Sequence, residues 1–265
     1  MSYSTITMEE SDGIAKLTLN RPDKLNSVDK QMSSELLDAL VKVDQNDNVR
    51  VIILTGAGRA FCAGVDIKDS FQDRIEAKKA GEEPFNWADW IEKSRLQFKE
   101  MSKPMIASIN GPAVGLGVTM SLCCDIRIAS DEATVSLPFL RVGLTQEYGS
   151  SYILTRVIGI AKACELVFSG KTIEASEAKE IGLYNQVLPA SELEEATNKL
   201  AKSIAQGAPI AMKLAKRALY QGLDTDLRTQ LQYERLIYDI LLETEDHKEA
   251  VSAFFEKRKP VFKGK

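Results

Sequence analysis

Two almost uninterrupted apolar runs, each followed by a glycine-containing turn, constrain the fold of this chain most. The runs are VIILT at residues 51–55 and MIASIN at residues 105–110. Strands that are apolar at nearly every position are usually covered on both faces, as in the parallel sheets of α/β proteins. The turns that follow, GAGRAFCAGVD and GPAVGLGV, therefore lie at the carboxyl ends of strands, where α/β sheets usually bind ligands.

The segments around these runs predict alternating strands and helices. ITM and IAKLTLN flank a turn at SDG, and the alternation of apolar and polar residues predicts two strands. Apolar residues recur at helical spacing between Ser27 and Val43, and a further helix is predicted around Trp90 to Met101. Residues 73–87, DRIEAKKAGEEPFNW, are polar, and we predict an irregular, mobile surface segment there.

The second half of the chain predicts fewer strands and more helix. SGKTIEASEAKEIGL, from residue 169, is interpreted as two helical pieces, and YNQVLP as a strand. Ser191 with Glu194 predicts a capping box, and nearly everything after it is helical. We therefore predict an α/β fold with a core at residues 1–190, which holds both glycine turns, and a helical C-terminal region at residues 191–265.

Composition and charge exclude several classes of function. A chain of 265 residues with 44% hydrophobic residues can bury one large or two small cores. A net charge of -4, with acids and bases interspersed, provides no basic stripe for nucleic acid. No apolar run approaches the ~20 residues of a membrane helix, so no membrane partner is expected.

Cysteine and histidine usage narrows the chemistry further. The N-terminus lacks a signal-peptide pattern and the cysteines follow no paired metal-ligand spacing, so we expect a cytoplasmic protein with reduced thiols and no metal. These cysteines are Cys62, Cys123, Cys124 and Cys164. The single histidine, His247, argues against a Ser-His-Asp triad and a multi-histidine metal site. Chemistry must then rely on carboxylates, lysines or backbone amides.

Five sequence motifs, in their order along the chain, resemble those of a known protein family. NRPDKLNS, GAGRAFCAGVDI, KPMIASINGPAVGLG, CCDIRIAS and EASEAKEIGLYNQVLP are similar to successive signatures of the crotonase (enoyl-CoA hydratase/isomerase) superfamily, over about residues 6–190. The resemblance implies a crotonase-like spiral of β-β-α turns with a helical C-terminal trimerisation region, and a homotrimer or a dimer of trimers. It also implies an acyl-CoA ligand, with coenzyme A as part of the substrate and no separate cofactor.

The same resemblance implies roles for residues of both glycine turns. The backbone N–H groups of Val65 and Leu116 would hold the thioester oxygen and stabilise a developing enolate. Ala63, Asp66, Lys24 and Lys68 are expected to lie at the coenzyme A moiety. For the two lysines, a solvated surface charge is an equally good interpretation.

The two glutamates of the family's hydratases are absent from this sequence. Their positions, by similarity, hold Thr119 and Phe139, and neither side chain can activate water as a carboxylate does. The ordinary hydratase mechanism is therefore not expected. Thr119, Phe139 and Tyr148 are predicted to line the acyl pocket, although Tyr148 could instead simply pack.

One carboxylate, Glu147, stands in the stretch LPFLRVGLTQEYGSS. That stretch resembles Δ3,Δ2-enoyl-CoA isomerases, in which the glutamate at this position is the only acid/base. The resemblance implies conversion of a 3-enoyl-CoA into a 2-enoyl-CoA, with Glu147 moving the proton. A structural role near a helix start remains the alternative for Glu147. For the whole protein, the alternatives are a hydratase or another acyl-CoA reaction, and a non-catalytic acyl-CoA binding module.

Overall fold

A computed structural model describes residues 3–265. Most of the strands lie in the N-terminal half of the chain, and helices dominate its C-terminal part. The strands are β1 (Ile6–Ser11), β2 (Ile14–Leu19), β3 (Val51–Gly56), β4 (Met105–Ile109), β5 (Ala113–Val114), β6 (Ile126–Ser130), β7 (Thr134–Ser136), β8 (Thr172–Glu174) and β9 (Gln186–Leu188). The helices are α1 (Lys30–Gln45), α2 (Ile67–Ala80), α3 (Trp87–Glu100), α4 (Leu116–Ser121), α5 (Ser150–Ser169), α6 (Ala175–Glu180), α7 (Ala190–Ala205), α8 (Pro209–Gly222), α9 (Leu227–Leu242) and α10 (Glu245–Glu256).

Two sheets organise the fold. The larger has the order β1-β2-β3-β4-β6-β9, in which β1 is antiparallel to β2 and the other neighbours are parallel. β3 is buried at every position, as its uninterrupted apolar sequence predicts for a central strand. The smaller sheet, β5-β7-β8, carries the second glycine turn at the end of β5. The predicted α/β fold is confirmed.

Helices cover both faces of the larger sheet. Alternate residues of β3 divide between two apolar clusters, Ile52 and Leu54 in one and Ile53 in the other. The first cluster contains the buried face of α1, which begins after Asp29, whose carboxylate accepts the Met32 N–H at 2.7 Å. None of the helices within residues 3–265 combines the length and apolar character that crossing a membrane requires.

The second cluster is completed by α7. Its residues Leu193, Ala201 and Ala205 pack with Ile53 and Ile106 of the sheet. The first helix beyond residue 190 thus lies on the sheet and contributes to its burial. The division of the chain at residue 190, and the role of the C-terminal helices in trimerisation, stay predictions.

The prediction of an irregular segment at residues 73–87 was wrong for its first half. α2 continues to Ala80, where Gly81 ends it in a left-handed conformation with φ 71°. Asp66 begins the helix by accepting the Asp69 N–H at 3.3 Å. The sequence pattern hid this helix because it is largely polar and lacks the apolar stripe on which periodicity depends.

Two further local predictions were wrong. The segment from residue 169 contains the strand β8, paired antiparallel with β7, and only one short helix after it. α7 begins at Ala190, before the proposed capping box, and its first N–H donates to Asp131 Oδ1 at 3.1 Å. Glu194 instead forms an ion pair with Lys16 at 2.6 Å. In both cases the structure is determined by a partner far away in the sequence, and the local sequence pattern did not reveal it.

Candidate active site

The two glycine turns lie against each other. The Val114 N–H donates to the Cys62 carbonyl at 2.9 Å, which joins the second turn to the first. A Cβ atom placed on Gly64 would lie 3.0 Å from the Val114 carbonyl oxygen and 3.7 Å from the Leu116 nitrogen. Only a residue without a side chain allows this approach comfortably, and Gly64 also has φ 98°. The turns that the sequence placed at neighbouring strand ends therefore form one site.

Two backbone N–H groups in these turns have no acceptor. Within residues 3–265, neither the Val65 N–H nor the Leu116 N–H donates a hydrogen bond to the protein. Leu116 is the first residue of α4, and the first N–H groups of a helix have no intrahelical partner. Gly115, with φ 52° and ψ −116°, turns the chain into this helix start. Two donors are thus available at adjoining turns for an oxygen atom of a ligand.

Glu147 lies beside α4. Its Oε1 accepts a hydrogen bond from Thr119 Oγ1 at 3.1 Å, and Thr119 is fully buried. Glu147 is half-buried and forms no ion pair with any residue that the structure describes. Burial raises its pKa to about 7, against a smaller lowering by the Thr119 hydroxyl. A carboxyl group with a pKa near neutrality can both accept and release a proton at physiological pH.

The backbone around Glu147 is held in an uncommon conformation. Tyr148 and Gly149 both have positive φ, 62° and 67°, and a left-handed tyrosine is rare. The Ser150 N–H and Oγ both donate to the Glu147 carbonyl, at 3.0 and 2.7 Å. These bonds start α5 immediately behind the carboxylate, so the side chain of Glu147 projects from a tightly defined turn.

The residues predicted to line the acyl pocket separate into two groups. Thr119 contacts Glu147, and the Phe139 ring lies 3.8 Å from the Cβ position of Gly115, so both lie close to the start of α4 and its free amide, and their place on the pocket wall stays a prediction. Tyr148 is only 2% exposed and packs between Trp90 and Phe98, with ring centroids 5.9 and 6.0 Å away. Tyr148 therefore belongs to the core beneath the site, and its predicted place on the pocket wall is corrected.

The residues predicted at the coenzyme A moiety lie on two neighbouring segments, and their role there stays a prediction. The segment that follows Lys24 runs beside the first glycine turn, since the Ala63 N–H donates to the Leu25 carbonyl at 2.9 Å. Lys24 and Lys68 are both exposed. Asp66 is buried, and an ion pair with Arg21 at 3.1 Å occupies its carboxylate, so it shapes the loop.

Sequence reasoning missed the residues that support this site. Arg21 joins Asp66 and Asp29, each at 3.1 Å, and thereby holds the first glycine turn to the start of α1. Trp90 and Phe98 pack on Tyr148 next to the carboxylate. No local signal could have identified them, because each acts on a residue far away in the sequence.

Comparison with known proteins shows which family this sequence is similar to. A sequence model described as enoyl-CoA hydratase/isomerase matches residues 9–265. A short-chain-enoyl-CoA hydratase of Clostridium acetobutylicum is 36% identical over 264 residues, which cover 98% of this chain and 97% of that protein. A crotonyl-CoA hydratase of Syntrophomonas wolfei is 34% identical over 263 residues, with 99% of both chains covered.

Solved structures show the same similarity in three dimensions. The crystal structure of an enoyl-CoA hydratase from Bacillus anthracis superimposes with a TM-score of 0.92 at 37% identity, covering 99% of this chain and all of that one. An enoyl-CoA hydratase structure from Geobacillus kaustophilus gives a TM-score of 0.89 at 35% identity over the full length of both chains. The similarity thus extends through the C-terminal helices.

Proposed function

Because this chain belongs to the enoyl-CoA hydratase/isomerase family, we propose that it converts a 3-enoyl-CoA into a 2-enoyl-CoA with Glu147 as the only acid/base. The membership supports the crotonase-type fold and an acyl-CoA substrate. The choice of reaction rests on a single observation. The carboxylate beside the two free amides is Glu147, hydrogen-bonded to a threonine that stands where the family's hydratases carry a glutamate.

The proposed reaction needs one proton carrier and one site for negative charge. Glu147 removes a proton from C2, and the electrons of that C–H bond move into the thioester, which becomes an enolate. The Val65 and Leu116 N–H groups hold the enolate oxygen while the charge is present. Glu147 then returns the proton to C4, and the double bond lies between C2 and C3. Atoms and charge balance without any second acid.

Water addition is supported less well by these residues. It requires one group that activates water and a second that delivers the proton, and Phe139 and Thr119 occupy the corresponding places. The Phe139 ring is 7% exposed and lies against Gly115, so it makes that part of the site apolar. Because several relatives are named hydratases, a hydratase reaction is the competing proposal for this chain.

A comparison of acyl-CoA substrates tests the proposal. We expect purified protein to convert 3-hexenoyl-CoA into 2-hexenoyl-CoA much faster than it hydrates crotonyl-CoA, with product analysis by liquid chromatography and mass spectrometry. Hydration at a comparable rate would select the hydratase. Tight binding of acyl-CoA without turnover of any substrate would select a non-catalytic binding module.

The pH dependence of the reaction should report the buried carboxyl group. Since burial raises the pKa of Glu147 to about 7 and only the ionised form can accept the C2 proton, kcat/KM should rise with pH and level off above that value. Below it, the rate should fall about tenfold per pH unit as Glu147 becomes protonated. Affinity for hexanoyl-CoA, measured over the same range, separates binding from chemistry. A rate that stays constant down to the ordinary pKa of a glutamate would contradict this assignment.

We also propose that the protein assembles as a homotrimer or a dimer of trimers. α9 exposes large apolar side chains on two opposite sides of the helix and contains no buried residue. These side chains include Leu227, Leu231, Leu236, Tyr238 and Ile240. An exposed apolar surface of this kind is typical of a face that meets another chain. Light scattering that finds only monomer at micromolar concentration would argue against the assembly.

A further inference from the structure

A cavity lies behind Glu147. It measures about 210 Å³ and is bounded by α3, the start of α5 and the end of α8. Most of its wall is apolar, with Phe98, Leu122 and Ile153 among the lining side chains. Gly149, two residues after Glu147, also lines it.

The cavity lies beyond the C-terminal end of α4, whereas the free Leu116 N–H lies at the start of that helix. The helix begins at the free Leu116 N–H, and Thr119 then places its hydroxyl on Glu147. Cys123, which follows the helix, donates its thiol to the Thr119 carbonyl at 3.5 Å and lines the cavity. At a rise of about 1.5 Å per residue, Ser121 at the end of α4 lies roughly 8 Å beyond Leu116, and Cys123 follows two residues later. An acyl chain held by its thioester at Leu116 and reacting beside Glu147 would therefore extend toward the cavity.

A guanidinium without an acidic partner faces this cavity. Arg95 of α3 is half-buried and forms no ion pair within the described chain, and its hydrogen-bond partner is the thiol of Cys123, a weak acceptor. Its Nε lies 3.1 Å from the position that a Cβ on Gly149 would occupy, so the absence of a side chain there makes room for it. A thiol is only a weak acceptor, so a bound anion would give this guanidinium a stronger, charge-assisted partner.

The other charged groups around the cavity are already paired or exposed. Lys216 forms an ion pair with Asp125 at 2.8 Å. Asp224 accepts the Tyr152 hydroxyl and lies 3.7 Å from Arg156. Lys99 is exposed at the outer side of α3. Arg95 is thus the group on the wall best placed to receive a negative charge.

We propose that this cavity binds the distal end of an acyl chain that ends in a carboxylate, and that Arg95 pairs with that carboxylate. The substrate class is then the mono-CoA thioester of an unsaturated dicarboxylic acid. An apolar wall suits the methylene groups, and the planar guanidinium suits a carboxylate through two parallel N–H donors. This inference rests on the proposed function for the place of the reacting carbons.

The test compares 3-hexenedioyl-CoA with 3-hexenoyl-CoA, which have equal chain length and differ only at the distal end. The wild type should prefer the dicarboxylic substrate in kcat/KM by about 10-fold to 10²-fold, the range expected for charge-assisted hydrogen bonds. Arg95→Met should abolish or reverse that preference, and Arg95→Lys should retain part of it. Lys93→Met is the matched control, since Lys93 is an exposed cation of the same helix that does not line the cavity, and this variant should preserve the preference.

A binding measurement keeps this inference separate from the proposed reaction. Adipyl-CoA and hexanoyl-CoA are saturated thioesters that cannot isomerise, so calorimetry with them measures binding alone. Adipyl-CoA should bind the wild type more tightly than hexanoyl-CoA does, and Arg95→Met should remove this difference in affinity. If no 3-enoyl-CoA reacts but this difference is found, the reaction assignment fails and the carboxylate site stands. Equal affinities in the wild type, or an equal loss of preference in Lys93→Met, would overturn the carboxylate site.

Discussion

Replacement of Glu147 by glutamine is expected to lower turnover of 3-hexenoyl-CoA by about 10²-fold to 10⁴-fold, the usual contribution of a general base. Glutamine has nearly the same size and can still accept the Thr119 hydrogen bond through its carbonyl oxygen. It cannot take the C2 proton. Affinity for hexanoyl-CoA should therefore remain close to that of the wild type while kcat falls.

Stability provides a second measurement on the same variant. Because burial raises the pKa of Glu147 to about 7 from an ordinary value of 4.5, the folded protein holds this proton more tightly than the unfolded chain. The contribution of Glu147 to folding stability is thus greatest below pH 4.5 and decreases as the pH rises through about 7. Glu147→Gln should not show this loss. The melting temperature of the variant, relative to that of the wild type, should therefore increase as the pH is raised.

The matched control for Glu147→Gln is Glu132→Gln. Glu132 is exposed in the turn after β6, whereas Asp131 in the same turn accepts the first N–H of α7 and is less suitable. Glu132→Gln should leave turnover almost unchanged. Wild-type turnover in Glu147→Gln would remove the proposed base, and a lower melting temperature at all pH values with activity retained would indicate a structural role.

Leu116→Pro is expected to lower turnover by about 10²-fold to 10³-fold relative to Leu116→Ala, because it removes one of the two free N–H donors. Proline is tolerated at the first position of a helix, where the N–H has no intrahelical acceptor. Gly115, with φ 52° and ψ −116°, has the mirror image of an extended conformation, which glycine can keep before proline.

Leu116→Ala is the necessary reference for this variant. The Leu116 side chain is 1% exposed, so both substitutions lose its packing, at a cost of about 2–5 kcal/mol, and only proline also loses the amide. Melting temperatures of the two variants show whether both fold. Equal kcat values for folded Leu116→Pro and Leu116→Ala would show that this N–H does not stabilise the reaction.

Much of the sheet and of the ligand-binding turns was predictable from local sequence. β3 and β4 are recognisable because burial on both faces demands apolar residues at successive positions. The glycines at 64 and 115 are needed where the backbone has positive φ, and such requirements are visible in the sequence as turn residues. The order of these features, together with the family resemblance, also indicated the fold.

Helices and strands whose bounds depend on residues far away in the sequence were less predictable from local sequence. α2 has a mainly polar surface, so its caps, Asp66 and Gly81, were the only local signs of its bounds. The three residues of β8 form a strand because β7 lies beside them. α7 starts where Asp131, 59 residues earlier in the sequence, accepts its first N–H.

The sequence by itself determined which residues can do chemistry here: one carboxylate in a glycine-flanked stretch, two glycine turns after buried strands, and no histidine other than His247. The tertiary structure decided how these groups meet. It brings Thr119 onto Glu147 across 28 residues of sequence and buries the carboxylate, which moves its pKa to about 7. It also leaves Arg95 without an acidic partner beside a cavity. Local patterns record burial and turn geometry, whereas the pKa of a side chain and its partners depend on packing between segments far apart in the chain.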